Sequence, residues 1–340
     1  MCIYYKNRDG LTYTKQEHVF PAGLGGKNKL KKGMVSDQAN EYFSKLELVV
    51  LRKSRVKIPR IFEGPGKRGS LTPNNETKSE LTVIDFHNNN RVGFIKKGKP
   101  FLATQLVFNG DKYTIEFDQS NQDNENEIRK LVEKIREFDG KYSFIKLKVE
   151  SSDIIFSLYD KKMYICAFEE LDDSRISTII EPLKGDIKEC KHHSDQGQWK
   201  GEIEIEEDII AVKRVVAKIA VNTWAYLYGE DEVQDNKFDC IKKFILSDKS
   251  KEGLVSYLPP DTMIKEDCHI GKEHCCLFTV QAGMVYAIIF LYNSGFAVKL
   301  FPVEETCKWA GEQIENYIFN GYVCDWMNHE DYEYKEYYHK

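Results

Sequence analysis

Apolar residues return every third or fourth position along 128–138. Ile128, Leu131, Val132, Ile135 and Phe138 would share one face of a helix that Asn124 caps and Gly140 ends. The same period runs more strongly through 206–229, with Ile209, Val212, Val216, Ile219, Ala220 and Trp224 largely on one side and Gly229 as the stop. Asn222 and Trp224 sit on its mostly apolar surface, which reads as core packing. A helix also fits 236–247, and a closing one fits 304–319. Between these the period drops towards two. LTVIDF at 81–86, RVGFI at 91–95, KYTIEF at 112–117 and YSFIKLKV at 142–149 are β-branched and aromatic and read as strands. Further strand-like pieces lie at 153–158 and 162–168, and 275–301 reads as a three-strand meander turning near Gly283 and Gly295. Residues 185–206 are polar and loop-like. The pattern predicts an α+β protein.

No apolar run approaches the ~20 residues that a membrane-crossing helix needs. The longest, Met284 to Phe301, is broken by Asn293, Ser294 and Gly295. The N-terminal MCIYYKNRDG has no apolar core of a signal peptide, so a cytoplasmic location is expected. There the nine scattered cysteines would be free thiols.

Composition changes the picture at one point. At 340 residues the chain has room for two domains, and its 19 Phe and 19 Tyr argue against overall disorder. Its net charge of −5 hides a division, because residues 1–70 hold 15 Lys+Arg against 6 Asp+Glu. A small basic head precedes a larger acidic body, and only the head suits a polyanion. The expected organisation is a small domain over 1–52, a basic linker over 53–79, an α+β domain over 80–320 and an acidic aromatic tail over 321–340. In the basic stretch 52–69, Arg52, Lys53, Arg55, Lys57 and Arg60 are candidate phosphate contacts, while Gly64, Pro65, Gly66 and Gly69 break any regular element.

The chemistry-bearing segment is TKQEHVFPAGLGGKNKLKKGMVSDQANEYFSKLE, residues 14–47. Glu17 and His18 are adjacent, a Gly-rich loop follows with Asn28 just beyond, and DQANEYFSKLE suits a short helix carrying Asn40. An acid, a histidine and an amide can gather around one hard cation, with carboxylate and amide oxygens suited to Mg²⁺. A neutral imidazole beside such an ion can take a proton from water. The basic residues downstream would hold a phosphodiester backbone.

This segment resembles the HNH endonuclease family, the ββα-metal fingers. EHVFPAGLGG at 17–26 looks like the family's acid–His–aliphatic–x–Pro signature and Gly-rich loop, and VSDQANEYFSKLE looks like its closing helix. The likeness covers about residues 1–50 and implies a small ββα-metal finger ahead of the larger mixed domain. It implies Glu17 and Asn40 as ligands of one Mg²⁺ or Mn²⁺ and His18 as the base that activates water. Asn28 would steady the loop, and Lys45 would touch the substrate phosphate. Relatives often brace the finger with zinc on two Cys-x-x-Cys pairs. Here those positions are Cys2, Tyr5, Ser36 and Ala39, so no structural zinc is expected in the head. Docking onto the body through Tyr4, Tyr5, Tyr42, Phe43 and Leu46 is the expected substitute.

The reading that follows is a metal-dependent DNA endonuclease, with the resemblance to standalone bacterial proteins suggesting an antiviral role under control of the C-terminal part, of a regulatory protein partner or of a second copy. The alternatives are a catalytically silent DNA-binding or adaptor finger and an RNA-cleaving nuclease. Three other features carry less. Cys268, His269, His274, Cys275 and Cys276 invite a zinc site, but their spacing is unlike the usual pairs. Cys190, His192 and His193 lie in a polar loop. The stretches GLGGKNK and GPGKRGS each lack the Gly-Lys-Ser/Thr ending of a phosphate loop. The tail's five tyrosines suit either a docking strip or a frayed end.

Overall fold

The computed structural model describes all of the chain except residues 7, 73–74, 87–88, 111, 119–123, 149, 182–199, 202–206, 248–252, 260–266, 304–317 and 339–340. The expected closing helix over 304–319 and the Cys190, His192, His193 cluster fall on these and lie outside the described residues, apart from 318 and 319, which are in a strand. The protein is α+β, as the patterning predicts. It forms two compact units, Met1–Thr77 with Ile205–Lys340, and Lys78–Glu204. This division differs from the expected one. The predicted 80–320 domain splits near 204, and its second part folds with the N-terminal head.

The larger unit is organised by helix α5, Ile209–Tyr228. Asp208 caps it, its carboxylate accepting the Ala211 N–H at 2.9 Å, and Gly229 ends it at φ 96°. Behind α5 lies a six-stranded antiparallel sheet in the order β10-β13-β12-β11-β14-β15. Its strands are β10 Val255–Tyr257, β11 His274–Gln281, β12 Met284–Leu291, β13 Ser294–Pro302, β14 Ile318–Asp325 and β15 Glu330–Glu333. The predicted meander is β11 to β13. Strand alternation sends Cys276 and Phe278 towards α5, and Cys275 and Leu277 into a second cluster on the other face with Ile288, Phe290 and Val323. Trp224 anchors the first core, its ring 4.8 Å from Phe278 and 5.0 Å from Phe301, both edge to face.

The stretch read as a tail is part of this sheet. Strand β14 pairs with β11 and β15, with Tyr322, Val323 and Cys324 fully buried, and a short helix follows at Tyr334–Tyr338. The acidic residues of the segment hid an apolar run short enough to pass as a terminus. In the stretch weighed for zinc, Cys268 and His269 lie in a turn, and His274, Cys275 and Cys276 open strand β11. His274 and Cys276 face one side of β11 and Cys275 the other, and among the described residues no three His, Cys, Asp or Glu converge as metal ligands.

The basic stretch after the head is not an open linker. Helix α1, Asp37–Lys53, is followed by helix α2, Lys57–Phe62, in which Lys57 and Arg60 are buried. Two further short helices, α6 (Glu230–Gln234) and α7 (Asp239–Leu246), pack beside α5.

The second unit stacks two sheets. One runs in the order β3 (Lys99–Leu102), β2 (Asn89–Lys96), β1 (Thr82–Phe86) and β9 (Lys200–Gly201). The other runs β5 (Lys112–Glu116), β4 (Gln105–Asn109), β7 (Ile154–Tyr159), β8 (Lys162–Ala167) and β6 (Ser143–Lys146), with β6 parallel to β8. Val83 and Val92 of the first sheet meet Val107, Ile155 and Cys166 of the second. Helices α3 (Asn124–Arg136) and α4 (Asp173–Ile180) cover the latter's outer face through Leu131, Ile135, Ile176 and Ile180. Among the described residues no helix is long and apolar enough to cross a membrane.

Candidate active site

The Glu-His segment forms one arm of a minimal hairpin. The Leu30 N–H donates to the Glu17 carbonyl at 2.8 Å and the Val19 N–H to the Asn28 carbonyl at 3.0 Å, so His18 opposes Lys29 in a single bridge. Pro21 and a turn of 3₁₀ helix at Ala22–Leu24 reverse the chain between the arms. Helix α1 then starts at Ser36, whose hydroxyl accepts the Ala39 N–H at 3.3 Å. The next residue, Asp37, accepts the Thr14 and Lys15 N–H groups at 3.0 and 2.8 Å and so straps the entry segment to the helix. These donors hold the Asp37 carboxyl well below the usual carboxylate range, the Thr14 N–H most of all. The Ser36 N–H donates to the Cys2 thiol at 3.4 Å, and Ala39 is fully buried.

The head is held from below by one stripe of α5. Arg214, Lys218, Asn222 and Tyr226 recur at four-residue spacing and line up on one face. The Arg214 guanidinium lies over the Tyr42 ring at 5.3 Å. The Lys218 ammonium, wholly buried, pairs with Glu17 and with Glu47 at 2.7 Å. The Asn222 amide donates to the His18 carbonyl at 2.9 Å and accepts the Tyr4 hydroxyl at 2.6 Å. The Tyr226 hydroxyl accepts the Asn28 amide at 3.2 Å. Sequence reasoning missed this stripe. Its signal was there: four polar side chains at i, i+4 spacing in a mostly apolar helix.

His18 is half-buried, and among the described residues nothing hydrogen-bonds its imidazole. Burial, with help from the Lys29 and Lys218 charges and against Asp331, lowers its pKa to about 4. The ring is therefore neutral near pH 7, the form that accepts a proton. Glu17 is buried behind it. Burial raises the pKa of its carboxyl, against the pull of Lys218. Burial also works against the Lys218 charge, but the two carboxylates outweigh it and leave the ammonium firmly protonated.

The other expected site residues are dispersed. Asn40 lies on α1 with its amide nitrogen donating to the Gln16 carbonyl at 3.3 Å, so it stands beside the hairpin arm that carries Glu17 and His18. Asn28 lies on the second arm, which its amide ties to Tyr226 of α5 at 3.2 Å. Lys45 projects into solvent and pairs with Glu41 at 2.8 Å. In the basic stretch, Arg52 and Lys53 are exposed at the end of α1. Arg55 instead grips Glu207 at 2.8 Å and covers the Tyr257 ring at 4.4 Å. Arg60 donates to the Leu51 and Gly66 carbonyls at 3.1 and 3.2 Å, which makes it a brace of the following loop. Lys57 and Arg60 are buried because the stretch folds against the body, so neither offers an open phosphate contact.

The expected Mg²⁺ or Mn²⁺ does not fit the side chains as they stand. Glu17 and Glu47 already share the Lys218 ammonium as ion-pair partner, and a divalent ion beside Lys218 would meet its charge at close range. No family model, no curated protein and no solved structure matches the chain.

Proposed function

We propose that the protein is an HNH-type endonuclease that hydrolyses phosphodiester bonds of DNA, with His18 as its base. The observation that carries this reading is the half-buried His18 imidazole, which nothing among the described residues hydrogen-bonds and whose backbone carbonyl Asn222 holds at 2.9 Å; burial favours its neutral form. Such a group takes a proton from water. The resulting hydroxide attacks phosphorus, the bond to the 3′ oxygen breaks, and that oxygen takes a proton from solvent. Lys29, opposite His18 in the hairpin, is the cation placed to favour an anionic phosphate near the ring. Metal dependence, which the family resemblance implies, would require Glu17 to exchange Lys218 for the ion.

A second reading is favoured by that same ion pair. With Glu17 and Glu47 locked on Lys218, the head would be a catalytically silent finger that binds DNA. Incubating supercoiled plasmid with the protein in Mg²⁺, Mn²⁺ and EDTA, beside His18→Ala, separates the two. Nicking that disappears in the variant supports the nuclease. DNA retained without nicking in any buffer, by wild type and variant alike, supports the silent finger. A matched RNA substrate tests the RNA-cleaving alternative.

A further inference from the structure

Two glycine-rich stretches, 23–29 and 64–70, each fail as phosphate loops by sequence, yet they meet in space. Gly69, at φ 75°, lets the chain approach so closely that a Cβ there would stand 2.8 Å from the Ala22 carbonyl oxygen and 3.1 Å from the Gly25 Cα. A Cβ on Gly25, at φ 98°, would collide with Trp326. These contacts fix the Gly-rich loop, the 64–70 turn and the β14–β15 turn against one another. Arg60 holds the second from within, and Tyr292 donates to the Gly64 carbonyl at 2.7 Å. Asp331 holds the first, accepting the Lys27 and Asn28 N–H groups and the Tyr322 hydroxyl at 2.7 to 2.8 Å through one oxygen.

Between the three turns lies an open cleft of about 580 Å³, lined by Lys27, Arg68, Ser70, Leu71, Thr72 and His329. Lys27 and Arg68 are exposed, and neither has an ion-pair partner among the described residues. That sets them apart from Arg55, which grips Glu207, and from the buried Lys57 and Arg60. Arg68 takes up a left-handed conformation, φ 52°, that is uncommon outside glycine. The Ser70 and Thr72 hydroxyls share one hydrogen bond at 2.8 Å, so one of the two O–H groups remains able to donate. Two unpaired cations, a spare hydroxyl donor and a space larger than one phosphate suit the backbone of a polyanion. The cleft begins at Lys27, two residues before the Lys29 that faces His18.

We infer that this cleft holds a phosphodiester of the polynucleotide strand, next to the one presented to His18. Naming a polynucleotide rests on the nuclease reading above; the cationic cleft does not. The experiment measures binding of the full chain to a fluorescent DNA duplex in EDTA across a salt series. The proteins are wild type, Lys27→Ala, Arg68→Gly, the double variant, Arg68→Lys, and Lys243→Ala, which removes an exposed cation on α7. The double variant is expected to bind about tenfold or more weakly, with the slope of log affinity against log salt reduced by about one per removed charge. Arg68→Lys should restore most of the loss, Lys243→Ala should bind as wild type, and matched thermal melts should show all variants folded. Unchanged affinity and slope in the double variant would overturn the inference, as would a wild type that binds no DNA at low salt. Binding through the cleft with no cleavage in any metal would refute the nuclease and leave the cleft standing.

Discussion

Lys218 determines the character of the head more than any residue in the head itself. It is wholly buried and answers two carboxylates, so truncating it strands both. Lys218→Ala should cost about 3–5 kcal/mol, read from urea unfolding. Replacing the whole cluster by neutral groups of similar size (E17Q, E47Q and K218M together) should recover much of that. If the single variant unfolds at the wild-type midpoint, the pair does not hold the head in place. Asp37 gives a prediction with a pH sign. Its folded pKa lies below its unfolded value near 4, so its contribution is fully present above that value and fades as pH falls below it. The melting temperature of Asp37→Asn should lie below wild type at pH 6, and the gap should close progressively as pH falls below about 4. A gap that persists unchanged into acid would contradict the assignment. Glu17, His18 and Asn40 stand out at this scale by type and order, and the Asn40 amide does lie against the hairpin arm that carries the other two. Lys218 and Glu47 do not stand out, since a lysine two hundred residues away announces no partner.

Among the elements, α5 was the clearest helix in the sequence, and the segment 206–229 read for it encloses the observed Ile209–Tyr228, with Gly229 as the stop. Its apolar face was legible from period alone. Its polar stripe was visible only as a spacing and not as a set of contacts, because the same residues on an exposed helix would simply be solvated. The stripe makes a testable coupling. The Tyr4 hydroxyl and the Asn222 amide meet at 2.6 Å in the interior, so Tyr4→Phe and Asn222→Ala should be non-additive. A double-mutant cycle on unfolding free energy should return about 0.5–3 kcal/mol of interaction, and a value near zero would contradict the contact. Strand β14 shows the opposite failure. The tyrosines and acids of 321–340 read as a solvated end, and only the sheet on both sides of the strand explains why Tyr322 and Cys324 are buried. A chain stopped after Asn320 should therefore lose the fold of the larger unit, seen as loss of near-ultraviolet circular dichroism. A native spectrum from that chain would make the strand dispensable.

At the scale of the whole molecule, the sequence suggested a basic head on an acidic body, and the charge division is real. What it could not show is that the body's second half closes around the head while 78–204 forms a unit of its own. That arrangement depends on pairings far apart in the chain, such as Gly25 against Trp326 and Asn28 against Tyr226, which no local pattern encodes. It explains how the N-terminal segment stands. A ~50-residue unit has too little core to be stable alone, and α5 supplies the packing it lacks. Residues 1–52 expressed by themselves should be unfolded by circular dichroism, and a folded fragment would remove the need for α5.

The central claim is that His18 acts as a base on a phosphodiester. It is tested most directly by plasmid cleavage with wild type and His18→Ala, purified in parallel and matched by thermal melt, in Mg²⁺, Mn²⁺ and EDTA. The account predicts nicking by wild type and its loss, by two orders of magnitude or more, in the variant. Equal nicking by both proteins would contradict it and place the chemistry elsewhere.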